Sequence, residues 1–236
     1  MADGAFSHVQ RNLATVLSEL RAVADRVGKP PPLLVAVTKS ASDGEVLALA
    51  AAGVPAMAEN RVSNFRARAA LLAAAGYPVP LHLIGSLQKN KVKYIAAEAA
   101  LIQSLDSFSL AEEIERQGAR VGRRIPVLAE VNIGNEESKG GVMRDDFGAF
   151  VREIARRAYP HIALRGVMTM APAMEEEEGY RPYFRATREL FVALRDEGCF
   201  TGVPLLSMGM SGSYRVAAEE GADLVRVGRR LFLKEE

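Results

Sequence analysis

The stretch LLVAVTKSASDGEVLALAAAGVPAMAEN, residues 33–60, decides the fold. It opens on an unbroken apolar run at 33–37, crosses a polar turn into a segment of helical spacing at 43–52, and returns to an apolar run at 54–58. A strand that is apolar at successive positions is buried on both faces, and such strands alternating with amphipathic helices are parallel. Working outward, the unit repeats. Further runs stand at 81–84, 101–104, 127–133, 164–168, 205–208 and 224–227, with helix-like segments at 61–75, 108–120, 145–158, 183–197 and 213–220. Eight runs in 236 residues predict an α/β chain closed into a single (β/α)8, TIM-like barrel, a fold of about this size. A doubly wound open sheet is the alternative arrangement of the same pattern. The barrel is favoured because a helix-like segment at 8–27 precedes the first run and the chain stops shortly after the eighth. That leading helix is placed to cover the sector a final helix would shield. No Pro- or Gly-rich linker interrupts the pattern, so one domain is expected over 1–236. The glutamate run within 174–179 reads as a solvated, mobile loop after the sixth strand, of use mainly for solubility.

Composition narrows the class. Apolar residues make up 49% and charged residues 25%, which is ordinary for a folded globular chain. Thirty Lys and Arg against twenty-nine Asp and Glu leave no basic excess of the kind a dedicated nucleic-acid binder carries. The lone Cys199 excludes an internal disulfide framework and a multi-cysteine zinc site. No apolar stretch approaches the ~18 residues of a membrane span, and residues 1–9 lack the cationic start and apolar run of a secretory signal. A cytoplasmic enzyme or small-ligand binder is expected, without a metal.

In a barrel the chemistry gathers where strands end. After the first run comes Thr38-Lys39-Ser40. Low-dielectric walls at the mouth would lower the Lys39 pKa and free its amine as a nucleophile toward an aldehyde, while a solvated surface lysine is an equal reading. Asn60, after the second run, suits either a helix cap or a ligand contact. Lys89-Asn90-Lys91 after the third run suits either an anion or an ordinary helix start. The loop 135–141 after the fifth run is long and polar enough to overhang the mouth. Gly209-Met210-Ser211-Gly212-Ser213 after the seventh run and Gly228-Arg229-Arg230 after the eighth carry the small residues that let backbone amides approach a phosphate. An aldehyde-capturing lysine opposite a phosphate cradle describes a pyridoxal phosphate (PLP) pocket. Arg226, at the end of the eighth run, is placed to hydrogen-bond the pyridine nitrogen from inside the barrel. A guanidinium there disfavours ring protonation and weakens the cofactor as an electron sink.

The segments Val35-Ala36-Val37-Thr38-Lys39, Glu59-Asn60-Arg61-Val62, His82-Leu83-Ile84-Gly85-Ser86-Leu87-Gln88-Lys89-Asn90-Lys91, Glu130-Val131-Asn132-Ile133, Glu136-Glu137-Ser138-Lys139-Gly140-Gly141-Val142, Leu164-Arg165-Gly166-Val167-Met168, Leu206-Ser207-Met208-Gly209-Met210-Ser211 and Val225-Arg226-Val227-Gly228 resemble the YggS/PROSC family of pyridoxal phosphate homeostasis proteins. The resemblance runs in order from about residue 8 to residue 232. It implies a PLP fold-type III barrel like the N-terminal domain of alanine racemase. It implies that Lys39 carries PLP as a Schiff base and that Asn60 lies beside the ring. Ser211, Gly228 and the amide of Arg229 would hold phosphate, Met208 would line the pocket, and Arg226 would face the ring nitrogen. Two positions depart from the family pattern: Ala58 stands where glycine is usual, and Arg229 where threonine or serine is usual. The second loses a hydroxyl whose bond to a charged phosphate is worth ~1.5–3 kcal/mol.

The resemblance thus implies a PLP carrier in intracellular homeostasis, without classical turnover, exchanging cofactor with PLP-dependent apo-enzymes. A PLP-dependent amino-acid racemase is the alternative. Racemisation needs a base on each face of a planar intermediate, and Lys39 supplies one. Tyr214 is the tyrosine nearest the phosphate loop, and helix packing is the favoured reading for it. A cofactor-free phosphosugar enzyme using Lys39 on its substrate is a third reading that the family motifs disfavour. Without the second domain through which fold-type III racemases pair, a monomer is expected.

Overall fold

The computed structural model describes residues 6–136 and 138–234. Residues 1–5, where a secretory signal was sought, Glu137 of the loop motif and residues 235–236 lie outside them. The expected alternation closes into a parallel barrel. In chain order its elements are α1 (Ser7–Val27), β1 (Leu33–Val37), α2 (Asp43–Ala51), β2 (Ala56–Glu59), α3 (Val62–Ala74), β3 (Leu81–Leu83), β4 (Leu101–Leu105), α4 (Phe108–Val121) and β5 (Ile125–Asn132). They continue as β6 (Val142–Met143), α5 (Arg144–Arg157), β7 (Ile162–Thr169), α6 (Arg181–Asp196), β8 (Leu205–Ser207), α7 (Tyr214–Glu219), β9 (Leu224–Val227) and α8 (Arg229–Phe232). β1 pairs with both β2 and β9, and β4 pairs with β5, so the eight barrel strands close on themselves. The two-residue β6 adds to the end of β5 outside the barrel order, and sequence periodicity gave no sign of it.

Strand side chains alternate between two cores. Leu34, Ala36, Met57, Ile102, Val127, Leu206 and Val225 point outward into the layer shared with the helices. Val35, Ala56, Ala58, Leu101, Leu128, Met168 and Leu224 point into the lumen and make a separate inner cluster. Two residues beyond three of these inner residues the strand carries a buried polar group: Gln103 after Leu101, Glu130 after Leu128, and Arg226 after Leu224. The period of two therefore builds an apolar floor with a polar layer above it, toward the strand ends where ligands bind.

α1 covers the sector the sequence assigned to it. Val9, Leu13, Val16, Leu20 and Val23 form its buried stripe, and it packs on α2, α7 and the four-residue α8. Each such side chain contributes about 1.5–3 kcal/mol on burial. The segment Lys89–Tyr94 is a 3-10 helix rather than an α-helix, so one βα unit is abbreviated. The glutamate run is solvated as expected, with Glu175, Glu176 and Glu178 exposed, but part of it is ordered into a turn. Glu177–Tyr180 forms a 3-10 turn in which Glu177 accepts from Arg215 at 2.6 Å and Glu178 accepts from Arg181 at 2.7 Å. These ion pairs, to Arg181 of α6 and Arg215 of α7, offset the self-repulsion of the run.

Candidate functional site

Lys39 is presented by a built turn. The Thr38 amide donates to Ala58 O across the β1–β2 pair at 3.0 Å, and the Ala41 amide closes back on Thr38 O at 3.0 Å. The Thr38 hydroxyl, fully buried, donates to Glu59 Oε1 at 2.6 Å. The other Glu59 oxygen is buried without a hydrogen-bond partner among the described residues. Lys39 itself is exposed at the rim, so the low-dielectric walls expected around its ammonium are not what surrounds it. Asn60 is half-buried and does not cap α3; the residue at that position is Arg61, with no side-chain cap bond. The backbone of Asn60 is instead the wall against which Gly85 packs, since a Cβ on Gly85 would fall 2.1 Å from Asn60 O.

Opposite Lys39, two loops meet. The Ser211 hydroxyl oxygen accepts from the amide of Gly228 at 3.1 Å and from that of Arg230 at 3.5 Å, tying the loop after β8 to the start of α8. Its hydrogen is left to donate outward. The amides of Ser211, Gly212 and Arg229 donate to no acceptor among the described residues. Gly209 makes the approach possible: its φ of +91° suits glycine, and a Cβ there would meet Ala217 Cβ at 2.4 Å. Gly228 lies against Val37, two residues before Lys39, where a Cβ would sit 3.1 Å from Val37 O. This contact places the amide cradle beside the lysine turn. The Arg229 side chain is exposed. α8 is too short for a strong dipole, so the cradle depends on its free N–H groups.

The lumen holds the third component. Arg226 is 2% exposed; its Nη1 donates to Ser207 Oγ at 2.6 Å and its Nη2 to Thr169 O at 2.7 Å. Ser207 donates to Gln103 Oε1 at 2.7 Å, and Gln103 Nε2 lies 3.0 Å from His82 Nδ1. Burial pushes Arg226 down to about 10, which leaves it charged at neutral pH. Burial, reinforced by Asp106, pushes the Glu130 carboxyl up to about 7, and burial pushes His82 down to about 4. Met208 follows the inward-facing Ser207 and is fully buried in the outer core shared with the helices, apart from the inner cluster. Gln103, Glu130 and Ser207 were not singled out as site residues. The available signal was a polar residue inside an otherwise apolar strand, as in Leu101-Ile102-Gln103-Ser104-Leu105.

Other candidates lie around this centre. The loop after β5 is organised by Asn132, whose amide donates to Glu136 O at 2.8 Å and whose Oδ1 accepts from the Glu136 amide at 3.1 Å. Its Gly140 approaches Ser86 Oγ and the Glu130 carboxylate, so the loop does reach over the mouth. Lys91 and Lys93 lie over the exposed Tyr94 ring at 5.7 and 5.0 Å, on the outer surface of the 3-10 helix. Tyr214 is buried and its hydroxyl donates to Glu19 of α1, a helix-packing role. A hollow of about 640 Å³ opens away from the mouth, lined in part by Lys29, Arg188, Phe191 and Asp223, and contains none of the predicted site residues. We assign the site to the mouth because the donor set converges there: an exposed primary amine, free amides with a hydroxyl, and a buried guanidinium. That set fits PLP, which has an aldehyde, a phosphate dianion and a ring nitrogen.

Comparison with known proteins agrees with this geometry. Residues 12–235 match the family model described as alanine racemase, N-terminal domain. A pyridoxal phosphate homeostasis protein of Aquifex aeolicus is 36% identical over 222 residues, covering 93% of this chain and 95% of that one. Among solved structures, an unknown protein from Bifidobacterium adolescentis superposes with a TM-score of 0.88 at 30% identity, covering 98% of this chain and 97% of the other. PipY of Synechococcus elongatus, solved with PLP bound, gives a TM-score of 0.80 at 27% identity, covering 95% of this chain and all (100%) of PipY. Among the described residues no helix is long and apolar enough to cross a membrane.

Proposed function

The chain belongs to the alanine racemase N-terminal domain family and, within it, to the pyridoxal phosphate homeostasis proteins, and from that premise we propose that it binds PLP covalently through Lys39 and carries it within the cytoplasm for delivery to PLP-dependent apo-enzymes. The observation that carries this reading is the packing of Gly228 on Val37, which sets the amide cradle beside the Lys39 turn. When bound, the cofactor supplies an aldehyde that condenses with an amine and releases one water. The chain's residues do the rest. Ser211 donates its hydroxyl hydrogen, and the amides of Gly212 and Arg229 donate their N–H groups, to the phosphate. Gly228, read from the sequence as a phosphate holder with Ser211 and Arg229, gives its own amide to the Ser211 oxygen. Its part is to keep that hydroxyl and the loop in place beside the phosphate, while the Gly212 amide joins the donors. Arg226 presents a permanent donor to the ring nitrogen and keeps a proton off it. Asn60 flanks the ring from the end of β2, and Met208 backs the pocket wall from the outer core. Lys39, standing at the rim, keeps its link open to water and to an incoming amine, as reversible loading and release require.

The same residues argue against amino-acid turnover. A guanidinium at the ring nitrogen withholds the proton that would stabilise a carbanion. Tyr214 is committed to Glu19, and the Tyr180 hydroxyl contacts the backbone of Met174, so neither serves as a second base. We take the whole chain to act as one cofactor-binding domain and as a monomer. The test is to mix PLP-loaded protein with the apo form of a PLP-dependent enzyme and, separately, with L-alanine. Recovery of the enzyme's activity, with no D-alanine in chiral chromatography, is the expected result. D-alanine formed at an ordinary enzyme rate of ~1–10³ s⁻¹ overturns the carrier reading.

A further inference from the structure

The polar layer of the lumen is connected in one direction only. Arginine has donors and no acceptor, so Ser207 Oγ must accept from Arg226 Nη1. The single hydroxyl hydrogen then goes to Gln103 Oε1, which fixes the orientation of that amide. Gln103 Nε2 is left to donate, so His82 Nδ1 receives as a lone pair and the ring proton sits on Nε2. The four side chains come from β9, β8, β4 and β3, so the chain of bonds crosses the barrel rather than following one strand. Each member is at least nine-tenths buried, and water does not compete for the bonds.

Resting on the proposed PLP site, we infer that Ser207, Gln103 and His82 are positioning residues, a donor chain across the lumen that fixes which way the Arg226 guanidinium faces and so sets its bond to the cofactor's ring nitrogen. Thr169 O holds one side of the guanidinium at 2.7 Å. Ser207 holds the other, and with both sides held the plane cannot rotate. The neutral state of His82 follows from its burial and suits its place as the terminal acceptor. None of the three residues need touch the cofactor. Their effect reaches it through Arg226.

The test uses full-length Ser207→Ala, Gln103→Met and Ser207→Thr. Three things are read: thermal stability without cofactor, PLP affinity, and the absorbance and fluorescence maxima of bound PLP, which respond to the hydrogen bond at the ring nitrogen. Borohydride trapping at Lys39 is followed in parallel. Ser207→Ala and Gln103→Met are expected to shift the maxima and weaken affinity about tenfold or more, with the Lys39 adduct still forming. Ser207→Thr, which keeps the hydroxyl, is expected to restore both. Gln103→Met preserves side-chain volume and reads the middle of the chain should Ser207→Ala fail to fold. Unchanged maxima and affinity in a folded Ser207→Ala or Gln103→Met protein overturn the inference. Absence of a Lys39 adduct in the unsubstituted protein would instead refute the PLP site itself.

Discussion

Glu130 and His82 face one lumen, and burial moves them in opposite directions. His82 falls to about 4 from an ordinary 6.5. Between those values the unfolded chain binds a proton that the folded chain refuses, so stability falls by up to about 3 kcal/mol as pH drops across that window. Glu130 rises to about 7 from an ordinary 4.5. There the folded chain keeps a proton that the unfolded chain has lost, so stability falls by a similar amount, about 3 kcal/mol, as pH rises from 4.5 to 7. The two slopes oppose each other. Glu130→Gln is therefore expected to gain stability over the unsubstituted protein progressively from pH 4.5 to 7, read as a growing difference in urea midpoints; a pH-independent difference contradicts the assignment. At the phosphate cradle, Ser211→Ala removes a donor to the phosphate and the acceptor for Gly228, and PLP affinity is expected to fall by about 1.5–3 kcal/mol in an equilibrium titration. Unchanged affinity would move the phosphate elsewhere. Lys39, Ser211 and Arg226 stand out in the sequence as candidates because each lies at a strand end or in the loop beyond it. Ser207 was not singled out, because which residues of a strand face the lumen is decided by register, which an apolar run does not display; Met208 was named only through the family resemblance.

The strands and most helices were legible because their signals are local: unbroken apolar runs for the strands and helical spacing for the helices, to which the structure adds, for α2, a capping box between Ser42 and Glu45. The exceptions have identifiable causes. β6 pairs with β5 beyond a loop that the Asn132 side chain ties together, a contact that no local pattern displays. The 3-10 turn in the glutamate run, with its ion pairs to Arg215 and Arg181, was not legible because charge counting does not pair a run with particular cations. α1 is the element whose role depends most on the whole chain, since its stripe covers the sector behind α8. Leu20 is 1% exposed in that stripe, and Leu20→Ala is expected to cost about 2–5 kcal/mol of stability. A thermal or denaturant midpoint lowered by far less would show that α1 is an accessory rather than part of the barrel's closure.

At the scale of the molecule, closure of β1 onto β9 does the functional work. It brings the first strand's lysine turn against the last strand's glycine and joins residues nearly two hundred positions apart into one site. The barrel itself follows from pattern. That the Lys39 turn faces the loops after the last two strands follows from reading the chain as a closed barrel, whereas the individual roles of Ser211 and Gly228 came only from the family resemblance, because a small residue in a loop carries no local mark of its ligand. The central claim is that Lys39 holds the cofactor, and the most direct measurement is borohydride reduction of PLP-loaded protein followed by mass mapping of the modified peptide. The account predicts one pyridoxyl group, on Lys39, and its loss with the near-ultraviolet or visible band in Lys39→Ala. A reducible adduct of full yield on another lysine, persisting in Lys39→Ala, would contradict it.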